Sequence, residues 1–283
     1  MSLFSAVEMA PRDPILGLNE QFNADSNPAK VNLGVGVYFD DNGKLPLLQC
    51  VQAAEKTMMD KPTARGYLPI DGIVAYDNAV KALVFGADSE PVTSGRVATV
   101  QAIGGTGGLK IGADFLKKVS PNAKVLISDP SWENHRALFT NAGFEVDTYA
   151  YYDAAKRGVN FDGMLASLNA AAAGTIVVLH ACCHNPTGYD ITPAQWDQVI
   201  AVVKAKELTP FLDMAYQGFG YGIAEDGAVI QKFVAAGLNF FVSTSFSKSF
   251  SLYGERVGGL SVLCKDKEEA GRVLSQLKIV IRT

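Results

Sequence analysis

The 283-residue chain is sparing with the residues that cross-link folds or bind metals. It has four cysteines, Cys50, Cys182, Cys183 and Cys264, and none forms a Cys-x-x-Cys pair. The adjacent Cys182 and Cys183 are poorly placed to bridge each other. No disulfide framework is expected, and this usage fits a reducing cytoplasm rather than secretion. The three histidines are His135, His180 and His184. The last two straddle a strand end instead of sharing a helix face, so no metal site is predicted. Met1 to Asp13 lacks a basic segment followed by an apolar one, so no signal peptide is expected. No apolar run approaches the roughly 18 residues that span a bilayer. No basic cluster interrupts a net charge of −4, which argues against nucleic acid or an anionic membrane as a partner. Internal repeats, low-complexity segments and linkers are absent too.

What is there is a globular composition. Apolar residues make up 48% and charged residues 19%, in a chain long enough for one or two domains with a sizeable core. Residues 14–22 have the spacing of a short amphipathic helix, stopped by the turn-forming Ser26-Asn27-Pro28. Residues 31–37 read as a glycine-rich extended segment, 45–58 as a helix, 66–72 as a loop and 74–85 as a second helix. From residue 96 the pattern becomes strand, glycine turn, helix, repeated. Strands are predicted at 97–103, 124–128, 144–151, 175–181 and 209–213, with helices at 109–119, 132–142, 161–171 and 194–206. Apolar runs at 238–242 and 260–264 add two more strands. This alternation implies an α/β fold with a mostly parallel, doubly wound sheet covered by helices on both faces.

Ligands bind such sheets at the carboxyl ends of the strands. Gly105 and Thr106, Trp132, Asn185, Asp213 and Lys248 each follow a different predicted strand, which points to a single site. Lys248 is flanked by Ser245 and Ser247 and followed by Arg256, a hydroxyl and guanidinium set suited to phosphate. A lysine beside a phosphate cradle points to pyridoxal phosphate held as a Schiff base. The glycine run 104–108 opens a helix, where free N–H groups and the dipole favour an anion. It is neither a Walker loop nor a Gly-x-Gly-x-x-Gly fingerprint. Asp213 ends an apolar strand, and a carboxylate there needs a partner or costs several kcal/mol; a pyridinium N–H would serve.

The lysine segment, together with Asn32-Leu33-Gly34-Val35-Gly36-Val37-Tyr38, Cys182-Cys183-His184-Asn185-Pro186-Thr187-Gly188 and Ser251-Leu252-Tyr253-Gly254-Glu255-Arg256-Val257-Gly258-Gly259-Leu260-Ser261-Val262, resembles the fold-type I pyridoxal phosphate enzymes. The resemblance covers nearly all of the chain. It is strongest to the branch of aspartate and aromatic-amino-acid aminotransferases, the bacterial aromatic enzymes in particular. It implies that Lys248 carries the cofactor and shuttles the substrate proton, that Asp213 pairs with the pyridinium nitrogen, and that Asn185 and Tyr216 bond the ring oxygen. Gly105, Thr106, Ser245, Ser247 and Arg256 would gather round the phosphate, Trp132 would stack on the ring, and His135 would support Asp213. Tyr67 would reach the phosphate of a neighbouring subunit. Gly36 would approach the substrate carboxylate, with Trp132 and Asn185 also at the substrate, and Arg282 would pair with a distal carboxylate.

The implied reaction is transamination of tyrosine and phenylalanine, and also of aspartate, with 2-oxoglutarate, in a cytoplasmic homodimer that shares two sites. An aspartate aminotransferase, a pyridoxal phosphate lyase or decarboxylase on the same fold, and a nucleotide-binding module remain as alternatives. Residues 1–44 are expected to form an N-terminal arm and the start of a smaller α/β domain, and residues 45–283 the large cofactor-binding domain. The rest of the small domain, with the arginine that grips the substrate α-carboxylate, is expected to lie beyond residue 283.

Overall fold

The computed structural model describes residues 2–12, 16–32, 34 and 36–283. They divide into two compact units, Met1–Leu47 and Leu48–Thr283. In the first unit, helix α1 spans Leu16–Ala24. Residues 14 and 15 of the predicted helix lie outside the described residues. The stop after α1 is built from side-chain bonds to backbone: Asn27 N–H donates to Asp25 Oδ1 at 2.9 Å and Ala29 N–H to Asn27 Oδ1 at 3.0 Å. Short polar side chains compete in this way with helical backbone bonding. Of the predicted extended segment 31–37, Leu33 and Val35 lie outside the described residues, and the others join no strand ladder.

The second unit opens with α2 (Gln49–Asp60), α3 (Val74–Phe85) and a single turn, α4 (Glu90–Thr93). Then come β1 (Val97–Ile103), α5 (Gly104–Val119), β2 (Lys124–Asp129), α6 (Glu133–Asn141) and β3 (Glu145–Ala150). A small hairpin, β4 (Tyr152–Asp153) and β5 (Gly158–Val159), leads to α7 (Phe161–Ala170). After it follow β6 (Ile176–His180), α8 (Pro193–Ala205), β7 (Thr209–Met214), α9 (Ile223–Ala235), β8 (Phe240–Ser245), β9 (Val257–Leu263) and α10 (Lys267–Arg282). The predicted strands all form, within a few residues of their expected ends. The predicted helices form too, with one correction. The glycine run 104–108 is not a turn ahead of α5 but its first turn. Only Gly104, at φ +73°, makes the bend out of β1.

Seven strands make one sheet in the order β1-β9-β8-β7-β6-β2-β3. The neighbours from β8 to β3 are parallel, while β9 runs antiparallel to both β1 and β8. Period-two alternation splits the core into two layers. Ile176, Val178, Phe211, Phe241, Leu260 and Val262 lie in one layer, with Leu109 and Phe115 of α5, Phe139 of α6 and Leu277 of α10. Val177, Leu179, Leu212, Val242 and Leu263 lie in the other, with α3, α7, α8 and α9. Being buried on both faces, the strands read as nearly continuous apolar runs. Each fully buried Leu, Ile, Val or Phe contributes about 1.5–3 kcal/mol. No helix of the described residues is long and apolar enough to cross a membrane.

Candidate active site

The same alternation sets the polar residues at the carboxyl edge. Phe211 lies in the α5 and α6 layer, so Asp213, two residues on, points to that side of the sheet. His135, from the first turns of α6, meets it there: its Nε2 lies 2.9 Å from Asp213 Oδ2, and Ser131 Oγ lies 2.9 Å from His135 Nδ1. An ionised carboxylate can only accept. His135 therefore donates through Nε2, and in the neutral ring Nδ1 accepts the Ser131 hydroxyl. Asp213 Oδ1 takes no hydrogen bond among the described residues, which leaves it for an N–H donor in the cleft. Burial pulls the Asp213 carboxyl upward, but the His135 hydrogen bond and nearby positive charge outweigh it and hold the carboxyl below its ordinary value.

Lys248 follows β8 by three residues, in a turn. Its Nζ lies over the Tyr216 ring, 4.9 Å from the centroid. Burial lowers the Lys248 ammonium from its ordinary value; Asp213 opposes this, and the Arg256 charge adds to it. Tyr216 follows β7, and its phenol is raised by burial first and then by Asp213, while a hydrogen bond with Asn185 works the other way. Lys248, Asp213, Tyr216 and Asn185 thus form one cluster.

The phosphate-type cradle lies beside them. Ser243 and Ser245 are on the α5-facing side of β8. Ser243 Oγ donates to Gly105 O at 2.9 Å, and a Cβ on Gly105 would meet Ser245 Cβ at 3.0 Å. Arg256 fills the space that Gly104 leaves, since a Cβ there would sit 2.6 Å from Nη2. Its Nη1 lies 3.4 Å from Ser247 Oγ and donates to Tyr253 O at 3.2 Å. The first turn of α5, with Thr106 in it, carries no side-chain cap. Free N–H groups, two hydroxyls and a guanidinium converge on this point, the donor set of a phosphate monoester site. With a lysine and a buried carboxylate at the same edge, these residues fit pyridoxal phosphate.

Trp132 takes the N-cap position of α6, with its indole edge-on to His135 at 5.3 Å. Gly36 is exposed and belongs to the first unit. Two predicted residues of the second unit are not brought to this cluster. Tyr67 is wholly exposed at 108%. Arg282 is exposed on the last turn of α10 and makes no ion pair among the described residues.

Sequence reasoning missed the second rank of residues. Ser131 was legible in principle, four residues before His135 across the start of α6. His180 and His184 continue a column of rings from His135, with centroids 5.0 and 4.2 Å apart, and His184 stacks on Tyr151 at 3.9 Å. His184 is held by Ser128 Oγ at 2.8 Å and Thr187 Oγ1 at 2.9 Å. Neither ring nitrogen of His180 has a hydrogen-bond partner among the described residues, and burial pushes its pKa down to about 3, so the ring is neutral beside Asp213.

The chain matches the family described as aminotransferase class I and II over residues 28–283. It is 65% identical to the aspartate aminotransferase of Pseudomonas aeruginosa over all of its length and 71% of that protein's. It is 52% identical to the tyrosine aminotransferase of Klebsiella pneumoniae, covering 99% of this chain and 71% of that one. Among solved structures, the aromatic-amino-acid aminotransferase from Burkholderia pseudomallei, covalently bound to pyridoxal phosphate, superposes with a TM-score of 0.97 at 68% identity, covering 100% of this chain and 71% of that chain.

Proposed function

The chain belongs to the class I and II aminotransferases, and we propose that it transaminates tyrosine and phenylalanine with 2-oxoglutarate, using pyridoxal phosphate, with aspartate as a further donor. The observation that carries this reading is the convergence of a lysine, a buried histidine-held carboxylate and an arginine-backed helix N-terminus on one sheet edge. When bound, pyridoxal phosphate supplies an aldehyde for amines and a ring that draws electrons from the substrate α-carbon.

In this reading Lys248 Nζ anchors the cofactor covalently. Once freed, its amine would take the proton from the substrate α-carbon as general base and deliver it, as general acid, to the carbon of the cofactor that had carried the aldehyde. Its lowered pKa, caused first by burial, keeps a share of the amine neutral for both tasks. Asp213 holds a proton on the ring nitrogen, with its charge steadied by His135. Asn185 and Tyr216 bond the ring oxygen. Gly105, Thr106, Ser245, Ser247 and Arg256 hold the phosphate, and Trp132 covers the ring. Gly36, Trp132, Asn185 and Arg282 are assigned to the substrate.

Exposed Tyr67 and Arg282 gain their roles in a homodimer, where each serves a site shared between two copies. The 12-residue α2 supports that assembly, since it buries no residue against the other described residues. A cytoplasmic location belongs to the same proposal, and no helix of the described residues is long and apolar enough to cross a membrane. Residues 1–44 are assigned to the N-terminal arm and small domain, and residues 45–283 to the large domain.

A second reading, aspartate aminotransferase, is favoured by the Pseudomonas relative of that name. A kcat/KM for aspartate well above that for phenylalanine would select it. The shared chemistry is tested by Lys248→Ala. Losing the proton-transfer group should lower turnover with either donor by at least about 100-fold, while the folded variant still binds the cofactor noncovalently. Near-normal turnover would remove Lys248 from the reaction.

A further inference from the structure

Tyr216 lies in the link between β7 and α9, residues 215–222, and the part that follows it contains Gly218, Gly220 and Gly222. Gly218 has φ +97° and Gly222 φ +156°, conformations that glycine takes freely. A loop of this composition has many alternatives and needs an outside constraint to keep one of them.

One carboxylate supplies it. Asp226, buried in the first turns of α9, accepts three backbone N–H groups from the loop. Its Oδ2 takes Gly218 at 2.8 Å and Gly220 at 3.0 Å, and its Oδ1 takes Tyr221 at 2.9 Å. The glycine and the acid are matched, because a Cβ on Gly220 would lie 2.5 Å from Asp226 Oδ1. Two further bonds close the unit: Gln217 Nε2 donates to Ile223 O at 2.9 Å, and Phe219 N–H donates to the carbonyl of Tyr216 at 3.0 Å. The last bond ties the clasped loop to Tyr216 itself.

We propose that Asp226 is a positioning residue for Tyr216: its carboxylate gathers the 217–222 loop so that the phenol stays between Asn185 and Lys248. This inference rests on the assignment of Tyr216 to the cofactor ring oxygen. A hydroxyl donating to that oxygen stabilises its ionised form and makes the neighbouring lysine–cofactor nitrogen easier to deprotonate. Loosening the loop weakens that bond without touching any group in contact with the cofactor.

The test uses the full-length holoenzyme and the pH midpoint of its visible absorption band, which reports the proton on the lysine–cofactor nitrogen. Asp226→Asn keeps the shape but cannot accept all three N–H groups. It is expected to fold, to bind the cofactor and to raise the midpoint by up to about one unit, the scale of one weakened hydrogen bond to a charged group. Its kcat should fall more than its KM changes. Tyr216→Phe should raise the midpoint at least as far, and the double variant no further than Tyr216→Phe alone. Gly220→Ala, which displaces the carboxylate from the other side, gives the same readout if Asp226→Asn does not fold. A midpoint unmoved by Tyr216→Phe overturns the Tyr216 assignment. A midpoint moved by Tyr216→Phe but by neither loop variant, or additive shifts in the double variant, overturns the role of Asp226.

Discussion

A carboxylate survives burial only where its charge is answered, and two aspartates in this molecule are answered very differently. Asp213 is bonded by His135 at 2.9 Å and stays ionised. Asp77, in the first turn of α3, is only 6% exposed and its Oδ1 has no hydrogen-bond partner among the described residues. Burial lifts its carboxyl, Asp71 adds to the rise while Lys81 and Lys278 oppose it, and the pKa reaches about 7 instead of 3.8. A folded pKa above the unfolded one means that the folded protein binds the proton more tightly. Its stabilising effect is complete below the unfolded value and is lost as pH rises through the folded one. Asp77→Asn removes this titration. In thermal melts the variant should gain on the wild type as pH rises from 5 to 8, and equal gaps at both pH values would contradict the assignment. Nothing in the sequence marked Asp77, because its cost comes from burial under residues distant in the chain. Asp213 was legible because an acid at the end of an apolar run needs a partner wherever the run packs.

At the scale of the element, α5 shows how a helix N-terminus is brought against a sheet. Gly108 lets it approach: an added Cβ would lie 2.6 Å from the carbonyl of Gly259 in β9 and 2.7 Å from Ser243 Oγ. Two effects compete in Gly108→Ala. Alanine favours the helix by about 0.5–1 kcal/mol, while overpacking against strand backbone costs about 1–3 kcal/mol. The clash should win, lowering the melting temperature by roughly 2–4 °C per kcal/mol of net loss and weakening the hold on phosphate. A variant as stable as the wild type would show that the seat has room to spare. The alternating strands and helices were legible because each is buried with its own period. Helices α9 and α10 were not foreseen. Helix α10 is a largely polar stretch that buries only Ala270 and Leu277, whereas α9 buries Val229, Ile230 and Phe233 at helical spacing, a signal that sequence reasoning passed over. The clasp made by Asp226 was hidden, since its partners are backbone groups that no side-chain motif announces.

At the scale of the whole molecule, much of the second unit's beginning lacks cover. No residue of α2 is buried, Met58 and Met59 are 59% and 80% exposed, and residues 61–70 are all exposed. An isolated helix of this length is marginal in water, so its stability calls for a surface outside the described residues. Sedimentation at assay concentration should show a homodimer, and an active monomer would contradict the shared-site account of Tyr67 and Arg282. The same scale carries the central claim, that the fold singles out one lysine from all those in the chain. The full-length protein can be loaded with pyridoxal phosphate, reduced with borohydride, digested and mapped by mass spectrometry. The account predicts one dominant adduct, on Lys248, at one cofactor per chain; a dominant adduct on another lysine, or labelling spread over surface lysines with Lys248 unmodified, would contradict it.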